Sequence, residues 1–464
     1  MAVDRNSIYP RKQSVVSIVQ YVCRNGRSDP FVHFQKETAN PCFKADNIKV
    51  TMKKILYIAR AGLPIDASGI RTFHIGSLLE KQGYCLHYLS LQRVCTRVEQ
   101  SGYERIYQSK SAFLPKEDYH YQKDEKIYSY PAPFPGGRIH ALNDLADLLF
   151  ARVAFDRVKR YCETEKPIAI ILYNDAYALT KRLIPYCQKK GIKLFADVTE
   201  WYEMDANKKY ADKMIAYLTD KRIRTLDQKL DGIIAISRYF EDYYKQKKVR
   251  CINIPPLMQV EKDLEIQRHE YYPGKHVVNF IYAGAPGGKD ILLPFLNAVQ
   301  RFNENGIRVR LDLVGLNADY VKKLLNTNVA PEEFGVVSYG RLSHEDTLKI
   351  VKKADFGILF RYDKRYAKAG FSTKFAECMS VGVPMICNKI GGCDSFVTHM
   401  ENGLLTNTVS EAELYDLLAD VFSLPSDDIV KIKKNAHAFA MKHFDRSTYA
   451  TSLQTLVNQQ ESVR

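Results

Sequence analysis

One pattern constrains this chain more than any other feature, because it occurs twice. It consists of a short apolar run, a glycine-bearing loop, an amphipathic stretch and another apolar run. In the first half the run Lys54-Ile55-Leu56-Tyr57-Ile58-Ala59 leads into a loop from Arg60 to Ile70 that holds Gly62, Pro64 and Gly69. Phe73, Ile75, Leu78 and Leu79 then recur at helical spacing as far as Gly83, and Cys85–Leu89 is apolar again. That order predicts β–loop–α–β, the repeating unit of a doubly wound parallel sheet. Further buried strands are expected at Ala169–Tyr173, Lys193–Val198 and Gly232–Ser237. The pattern restarts at Val277–Ala283, which runs into Gly284-Ala285-Pro286-Gly287-Gly288-Lys289. A helix over about Ile291–Asn303 follows, with strands at Arg308–Val314, Val336–Tyr339, Phe356–Phe360 and Pro384–Cys387 and a helix at Thr373–Val381. Ile254-Pro255-Pro256-Leu257 and the polar run to about Lys275 read as a linker. The fold class is therefore α/β, with two parallel-sheet domains in tandem. The ligand is expected at the carboxyl ends of the strands, in a cleft between the domains.

Charge and cysteine usage narrow the possible partners. The 464 residues carry 68 basic and 53 acidic side chains, a net +15. Residues 251–464 are balanced at 25 of each, so the excess lies in the first part of the chain, and residues 151–250 alone carry 22 basic against 14 acidic. A nucleic-acid binder has no reason to spare its second half, and no groove-reading motif is present, so nucleic acid is not an expected partner. Residues 207–250 interleave lysines and arginines with Met214, Ile215, Tyr217, Leu218, Tyr239 and Phe240. This is an amphipathic helix with a basic face, which suits either solvent or peripheral contact with an anionic membrane. The ten cysteines include no CxxC pair and no zinc-like cluster, and several sit inside apolar runs. That pattern fits reduced cysteine and a cytoplasmic chain, at the inner face of the membrane if the basic face docks. Residues 1–51 are basic and poorly patterned, and are expected to be an extension without a role in the fold, with Met52 a natural start.

The strongest local signal is the run from Ala369 through Gly370-Phe371-Ser372-Thr373-Lys374-Phe375-Ala376-Glu377 to Gly382-Val383-Pro384. Ser372 and Thr373 are suited to open a helix whose free N–H groups make a diphosphate site. Glu377 falls one turn later on the same face, placed to accept from a ribose diol. The same residues also describe an ordinary capped helix with a dipole-favoured glutamate. The loop Gly284–Lys289 lets backbone approach a phosphate, and Gly287 and Lys289 are its candidate contacts. It is neither a Walker A loop nor a GxGxxG fingerprint. Tyr339-Gly340-Arg341-Leu342-Ser343 joins a strand to a helix, where Arg341 and Leu342 are placed beside a base.

Taken in order, Phe280–Lys289, Tyr339–Leu342, Ala354–Phe360, Phe371–Pro384, Gly391–Gly392 and Asn402–Leu405 resemble the nucleotide-sugar-binding domain of family 4 glycosyltransferases. These are retaining enzymes of the GT-B fold, the glycosyl transferases group 1. The resemblance extends over about 52–464 and is looser in the first half. It implies two facing Rossmann-like domains: an acceptor domain at 52–257 and a donor domain at 258–435, with a helix at 436–464 crossing back to the first. It implies that Glu377, the second glutamate of the EX7E motif, holds the donor ribose. Lys289 would contact the diphosphate, the amides of Ser372 and Thr373 would bind diphosphate or sugar, and Gly69 would approach the diphosphate from the first domain. The first glutamate of the motif is replaced by Ala369, which leaves the donor sugar open.

On the acceptor side, Asp197 and Glu200 close a strand and are the expected catalytic or acceptor-binding carboxylates. Trp201 is placed either to stack on a sugar ring or to plug the fold, and Asp175 is a weaker candidate of the same kind. The function expected is transfer of a sugar, with retention, from a nucleoside-diphosphate sugar to a glycan or lipid-linked acceptor in cell-surface polysaccharide synthesis, without a metal or other cofactor. The rival readings are a nucleotide-sugar 2-epimerase on the same scaffold and a non-catalytic nucleotide-sugar-binding protein.

Overall fold

The structure, a computed structural model, describes residues 53–59, 67–91, 104–107, 119–123, 126–130, 145–175, 177–203, 210–266 and 277–458. The expected extension at 1–51 lies outside the described residues, as do Gly62, Pro64, Lys208 and Lys209. The chain divides into two compact units. One is built mainly from the residues up to Asn253 with the segment from Tyr449 onward, the other mainly from Ile254–Thr448.

The N-terminal unit is a nine-stranded sheet in the order β3-β4-β5-β2-β1-β6-β7-β8-β9. Its parallel part comprises β1 (Lys54–Ala59), β2 (Cys85–Ser90), β6 (Ala169–Tyr173), β7 (Lys193–Val198), β8 (Gly232–Ala235) and β9 (Cys251–Asn253). Strands β3 (Glu104–Tyr107), β4 (Tyr119–Lys123) and β5 (Lys126–Tyr130) form an antiparallel ribbon that joins β2 through β5. The sequence reading missed this ribbon. Leu56 and Ile58 of β1 pack with Ile170, Leu172, Leu179 and Leu183 on one side of the sheet, and the intervening Ile55 and Tyr57 are equally buried. A central parallel strand covered on both faces reads as a continuous apolar run, which is why these strands were legible. Helices α1 (Ala67–Glu80), α2 (Arg152–Glu165), α3 (Tyr177–Lys190), α4 (Tyr210–Thr225) and α5 (Arg238–Gln246) provide the connections.

The C-terminal unit is a six-stranded parallel sheet in the order β12-β11-β10-β13-β14-β15. The strands are β10 (Val278–Ala283), β11 (Val309–Val314), β12 (Val336–Gly340), β13 (Phe356–Leu359), β14 (Met385–Asn388) and β15 (Gly403–Thr406). Within the unit this is the 3-2-1-4-5-6 arrangement. It reverses direction between β10 and β13, where ligands bind in doubly wound sheets. The helices are α6 (Leu293–Phe302), α7 (Ala318–Leu325), α8 (His344–Val351), α9 (Arg365–Ala369), α10 (Thr373–Ser380), α11 (Glu411–Phe422) and α12 (Ser426–His443). Alternate residues of β10 serve opposite faces. Val278, Phe280 and Tyr282 join Phe295, Val299, Leu414 and Leu418 on one side, while Ile281 joins Phe375, Met379, Ala436 and Ala440 on the other. Each such fully buried side chain contributes about 1.5–3 kcal/mol through burial.

Two segments differ from the sequence reading. The polar run after Leu257 is not simply a linker. Val260 is buried, and the Met258 N–H donates to the Phe444 carbonyl (2.8 Å) while its own carbonyl accepts from Arg446 (3.0 Å). Helix α12 is continuous across residues 435 and 436, and the chain changes unit between Thr448 and Tyr449. The last helix, α13 (Ala450–Asn458), packs with the N-terminal unit: Leu453, Leu456 and Val457 are buried, and Lys193 and Arg250 donate to the Val457 and Leu456 carbonyls (both 3.0 Å).

Candidate functional site

The C-terminal unit concentrates chemistry at the carboxyl ends of β10 and β13. Strand β10 ends at Ala283, and Gly284 follows with φ +137°, a conformation that side chains other than glycine's rarely adopt. The position also has little room. A Cβ there would lie 3.2 Å from Cδ and 3.3 Å from Nζ of Lys374, and a Cβ on neighbouring Gly315 would meet the Gly284 carbonyl oxygen at 2.9 Å. The loop continues through Gly287, exposed with φ +53°, to Lys289 and the buried Asp290. Beyond β13, Arg361 is fixed by a backbone bond from its N–H to Asn388 Oδ1 (2.9 Å) and by Asn388 Nδ2 donating to its carbonyl (2.8 Å).

Helix α10 points its N-terminus at the same place. Ser372 precedes it as N-cap, yet its hydroxyl makes no capping bond. The residue is 3 % exposed, and its Oγ is buried without any hydrogen-bond partner. Its N–H donates instead to Cys393 Sγ at 3.4 Å; burial pushes that thiol up to about 11, so it remains neutral. An unpartnered buried hydroxyl costs stability and invites an acceptor from outside the chain. At a helix N-terminus the fitting guest is an anion.

Four side chains lock together beside it. Lys374 Nζ donates to Asp290 Oδ2 (2.5 Å) and to Tyr282 Oη (2.7 Å), and lies 4.1 Å from the centre of the Tyr282 ring. Tyr282 Oη donates to Asp290 Oδ2 (2.8 Å), and Arg361 Nε donates to Asp290 Oδ1 (2.9 Å). Burial alone would raise the Asp290 carboxyl, but the charges of Lys374 and Arg361 hold it below its ordinary value. Burial, helped by the nearby Arg361 charge, lowers the Lys374 ammonium. Glu377, one turn further along α10, is partly buried. Burial raises its carboxyl above the usual range against the opposing pull of His344 and Lys374.

The sequence-derived residues land as follows. Gly287, Lys289, Ser372, Thr373 and Glu377 all belong to the Gly284–Lys289 loop or the first turns of α10. Lys289 is partly exposed, and its carbonyl accepts from Tyr366 Oη (3.1 Å). Arg341 and Leu342 follow β12; Arg341 is exposed, and Leu342 packs against the core. Ala369 ends α9, fully buried. Tyr282, Asp290, Arg361 and Lys374 were given no role from sequence. Lys374 stood in plain view between Thr373 and Glu377, but its pairing with Asp290, 84 positions away, is visible only in the fold.

In the N-terminal unit the two expected carboxylates differ in their surroundings. Asp197, next to last in β7, is fully buried, and its oxygens are taken by Arg71 (Nη2 to Oδ1 2.8 Å, Nε to Oδ1 3.0 Å) and by Tyr57 Oη (2.7 Å). Burial and the adjacent carboxylate push the Tyr57 phenol well above its ordinary value, so it stays a donor. Asp197 therefore ties α1 to β1 and β7, and its oxygens are not offered to an acceptor. Trp201 is a plug rather than a stacking platform: it is 2 % exposed, donates through Nε1 to Asp220 (2.9 Å) and packs edge-on against Tyr243 at 4.9 Å. Asp175 caps α3, accepting from the Thr180 N–H (3.2 Å) and hydroxyl (3.0 Å). Glu200 is half-buried beside Tyr202, whose phenol is raised by burial and then by the Glu200 charge. Gly69 lies buried in the first turn of α1, two residues before Arg71.

Comparison with known proteins bears on the fold. Residues 278–423, which contain the whole constellation, match the family model described as Glycosyl transferases group 1. The chain is similar in fold to Anabaena Alr3699/HepE, solved in complex with UDP, at 17 % identity and a TM-score of 0.58 over 88 % of this chain and 100 % of that one. It is likewise similar to sucrose-phosphate synthase (tll1590) from Thermosynechococcus elongatus, at 13 % identity and a TM-score of 0.57 over 87 % and 98 %. A glycosyltransferase from Rickettsia africae ESF-5 is similar at 12 % identity and a TM-score of 0.58 over 88 % and 100 %. No curated protein is matched by the sequence. The fold is that of the GT-B glycosyltransferases. Among the described residues no helix is long and apolar enough to cross a membrane.

Proposed function

We propose that the protein is a retaining glycosyltransferase of family 4 that moves a hexosyl group from a nucleoside-diphosphate sugar to a glycan or lipid-linked acceptor in cell-surface polysaccharide synthesis. The observation that carries the reading is the unpartnered buried hydroxyl of Ser372 at the N-terminus of α10, beside the Gly284–Lys289 loop at the switch point of the sheet. Support comes from the group 1 match over the same residues and from the complex of Alr3699/HepE with UDP. In this reading the C-terminal unit holds the donor. The Ser372 amide expected to meet the diphosphate is taken up by Cys393 Sγ, so in this reading the Ser372 hydroxyl, the Thr373 amide and the Lys289 amine meet it, Glu377 accepts from the ribose, and Arg341 and Leu342 lie beside the base.

The chemistry follows from charge. As the anomeric bond breaks, negative charge builds on the departing diphosphate, and preorganised N–H groups with a lysine stabilise it without a metal. The sugar acceptor belongs to the N-terminal unit, where Glu200 remains the carboxylate to test. The basic residues of 207–250 fit an enzyme that works at an anionic membrane face in the cytoplasm.

The test is titration of the full chain with UDP, GDP and ADP by calorimetry, followed by incubation with the corresponding sugar nucleotides and a panel of glycan acceptors. Binding of one diphosphate, with its release from the sugar nucleotide only when acceptor is present, is the expected result. Glu377→Ala should weaken donor binding. Unchanged affinity in that variant would contradict the assignment.

A further inference from the structure

Lys374 is the less obvious of the two lysines near the loop. It occupies the second position of α10, and its stem crosses to the first residue of the glycine loop, where a Cβ at 284 would lie 3.2 Å from its Cδ. Its amine therefore lies beside the first residue of the glycine loop, at the carboxyl end of β10, next to the Asp290 carboxylate and the Tyr282 hydroxyl. Asp290 and Tyr282 take up two of its three N–H donors, and 20 % of the side chain remains exposed. Asp290 is itself divided between Lys374 and Arg361, so its single charge answers two cations.

We propose that Lys374, held by Asp290 and Tyr282, is a diphosphate-binding residue of this site, supplying from the floor of the loop a cation that the anionic donor completes. The inference rests on the nucleotide-sugar reading above and names a contact which that reading does not contain. Lys374 is oriented in advance by a carboxylate, a phenol and a ring face. An amine fixed in this way loses less freedom on binding than a surface lysine. A phosphate arriving at a lysine whose proton is already loosened by burial also raises its affinity for that proton. Binding should then draw protons from solution at alkaline pH.

The experiment is calorimetry of UDP, GDP and ADP, and of the matching nucleosides, with wild type, Lys374→Gln and Lys374→Met. Titrations are run at pH 7 and pH 9 in buffers of different ionisation enthalpy, and folding is monitored by thermal unfolding. The glutamine variant keeps polar length should the methionine variant fail to fold. The expected result is a tenfold or larger loss of diphosphate affinity in the variants, nucleoside affinity within twofold of wild type, and proton uptake at pH 9 in wild type alone. A wild type that binds a diphosphate while Lys374→Gln binds it equally well, with the same proton uptake, overturns the inference and leaves the functional reading standing. A wild type that binds none of the three diphosphates overturns both.

Discussion

Asp197→Asn separates a structural carboxylate from a catalytic one. The substitution keeps the shape of the side chain and removes its charge, leaving the Arg71 guanidinium, 6 % exposed, without its anion. Breaking a buried ion pair by neutralising one partner costs about 3–5 kcal/mol, chiefly through the orphaned charge. With a urea dependence of about 2–3 kcal/mol per molar, the midpoint should fall by roughly 1–2.5 M. The protein provides its own reporter. Trp201 is the only tryptophan in the sequence, and it is buried in the N-terminal unit four residues beyond Asp197, so its fluorescence follows unfolding of this unit. The control is Tyr57→Phe/Arg71→Met/Asp197→Leu, which replaces the whole polar cluster with apolar groups of similar size. Because desolvation of the ions is removed along with their attraction, most of the lost stability should return. A positioned general base contributes about 10²–10⁴ in rate. An Asp197→Asn protein with wild-type urea midpoint and turnover reduced on that scale would refute the structural assignment and restore the catalytic one.

Three further predictions concern the C-terminal unit. Gly284→Ala places a methyl 3.2–3.3 Å from Lys374 in a backbone conformation at φ +137°, and should destabilise by about 1–3 kcal/mol in thermal unfolding while weakening diphosphate binding. Ser372→Ala removes a buried hydroxyl without a partner, so the free protein should be unchanged or up to about 1 kcal/mol more stable although its affinity for a nucleoside diphosphate falls. A variant that loses stability as well would show that the hydroxyl has an internal partner. Glu377→Gln carries a pH signature. Burial raises the folded-state carboxyl above its unfolded value, so the folded chain holds its proton more tightly and stability is lost as pH climbs from the unfolded value through the folded one. The glutamine variant should therefore gain on wild type above that window and match it below, in urea unfolding measured from pH 3.5 to pH 8.

The strands that form the two sheet centres were legible because their physical signature is local. A parallel strand buried on both faces must be apolar along its length, as Ile55–Ala59 and Phe280–Tyr282 are, and the shortness of these runs separates them from buried helices. The ribbon β3–β5 escaped notice because runs such as Glu104–Tyr107 and Tyr119–Lys123 are rich in charged and polar residues, and only pairing with a distant strand defines them. The backbone setting of the Gly284–Lys289 loop and of the α10 N-terminus was similarly legible, since glycine before lysine and serine before a helix state their local conformation within a few residues. The partners of Asp197 were not legible for a related reason. A carboxylate at a strand end announces charge in the cleft only if its partner is known, and Arg71 stands 126 positions away on another element. The same holds for Lys374 and Asp290. Local sequence can specify where a helix will begin, as Ser372 before α10 does. It cannot specify which distant side chain will reach that point, because that depends on register between strands set far apart in the chain. An ion pair therefore separates the two carboxylates in opposite ways. Asp197 meets its cation in the core and is spent on the fold, whereas Asp290 meets two cations at the edge of a loop and leaves one of them with a donor to offer.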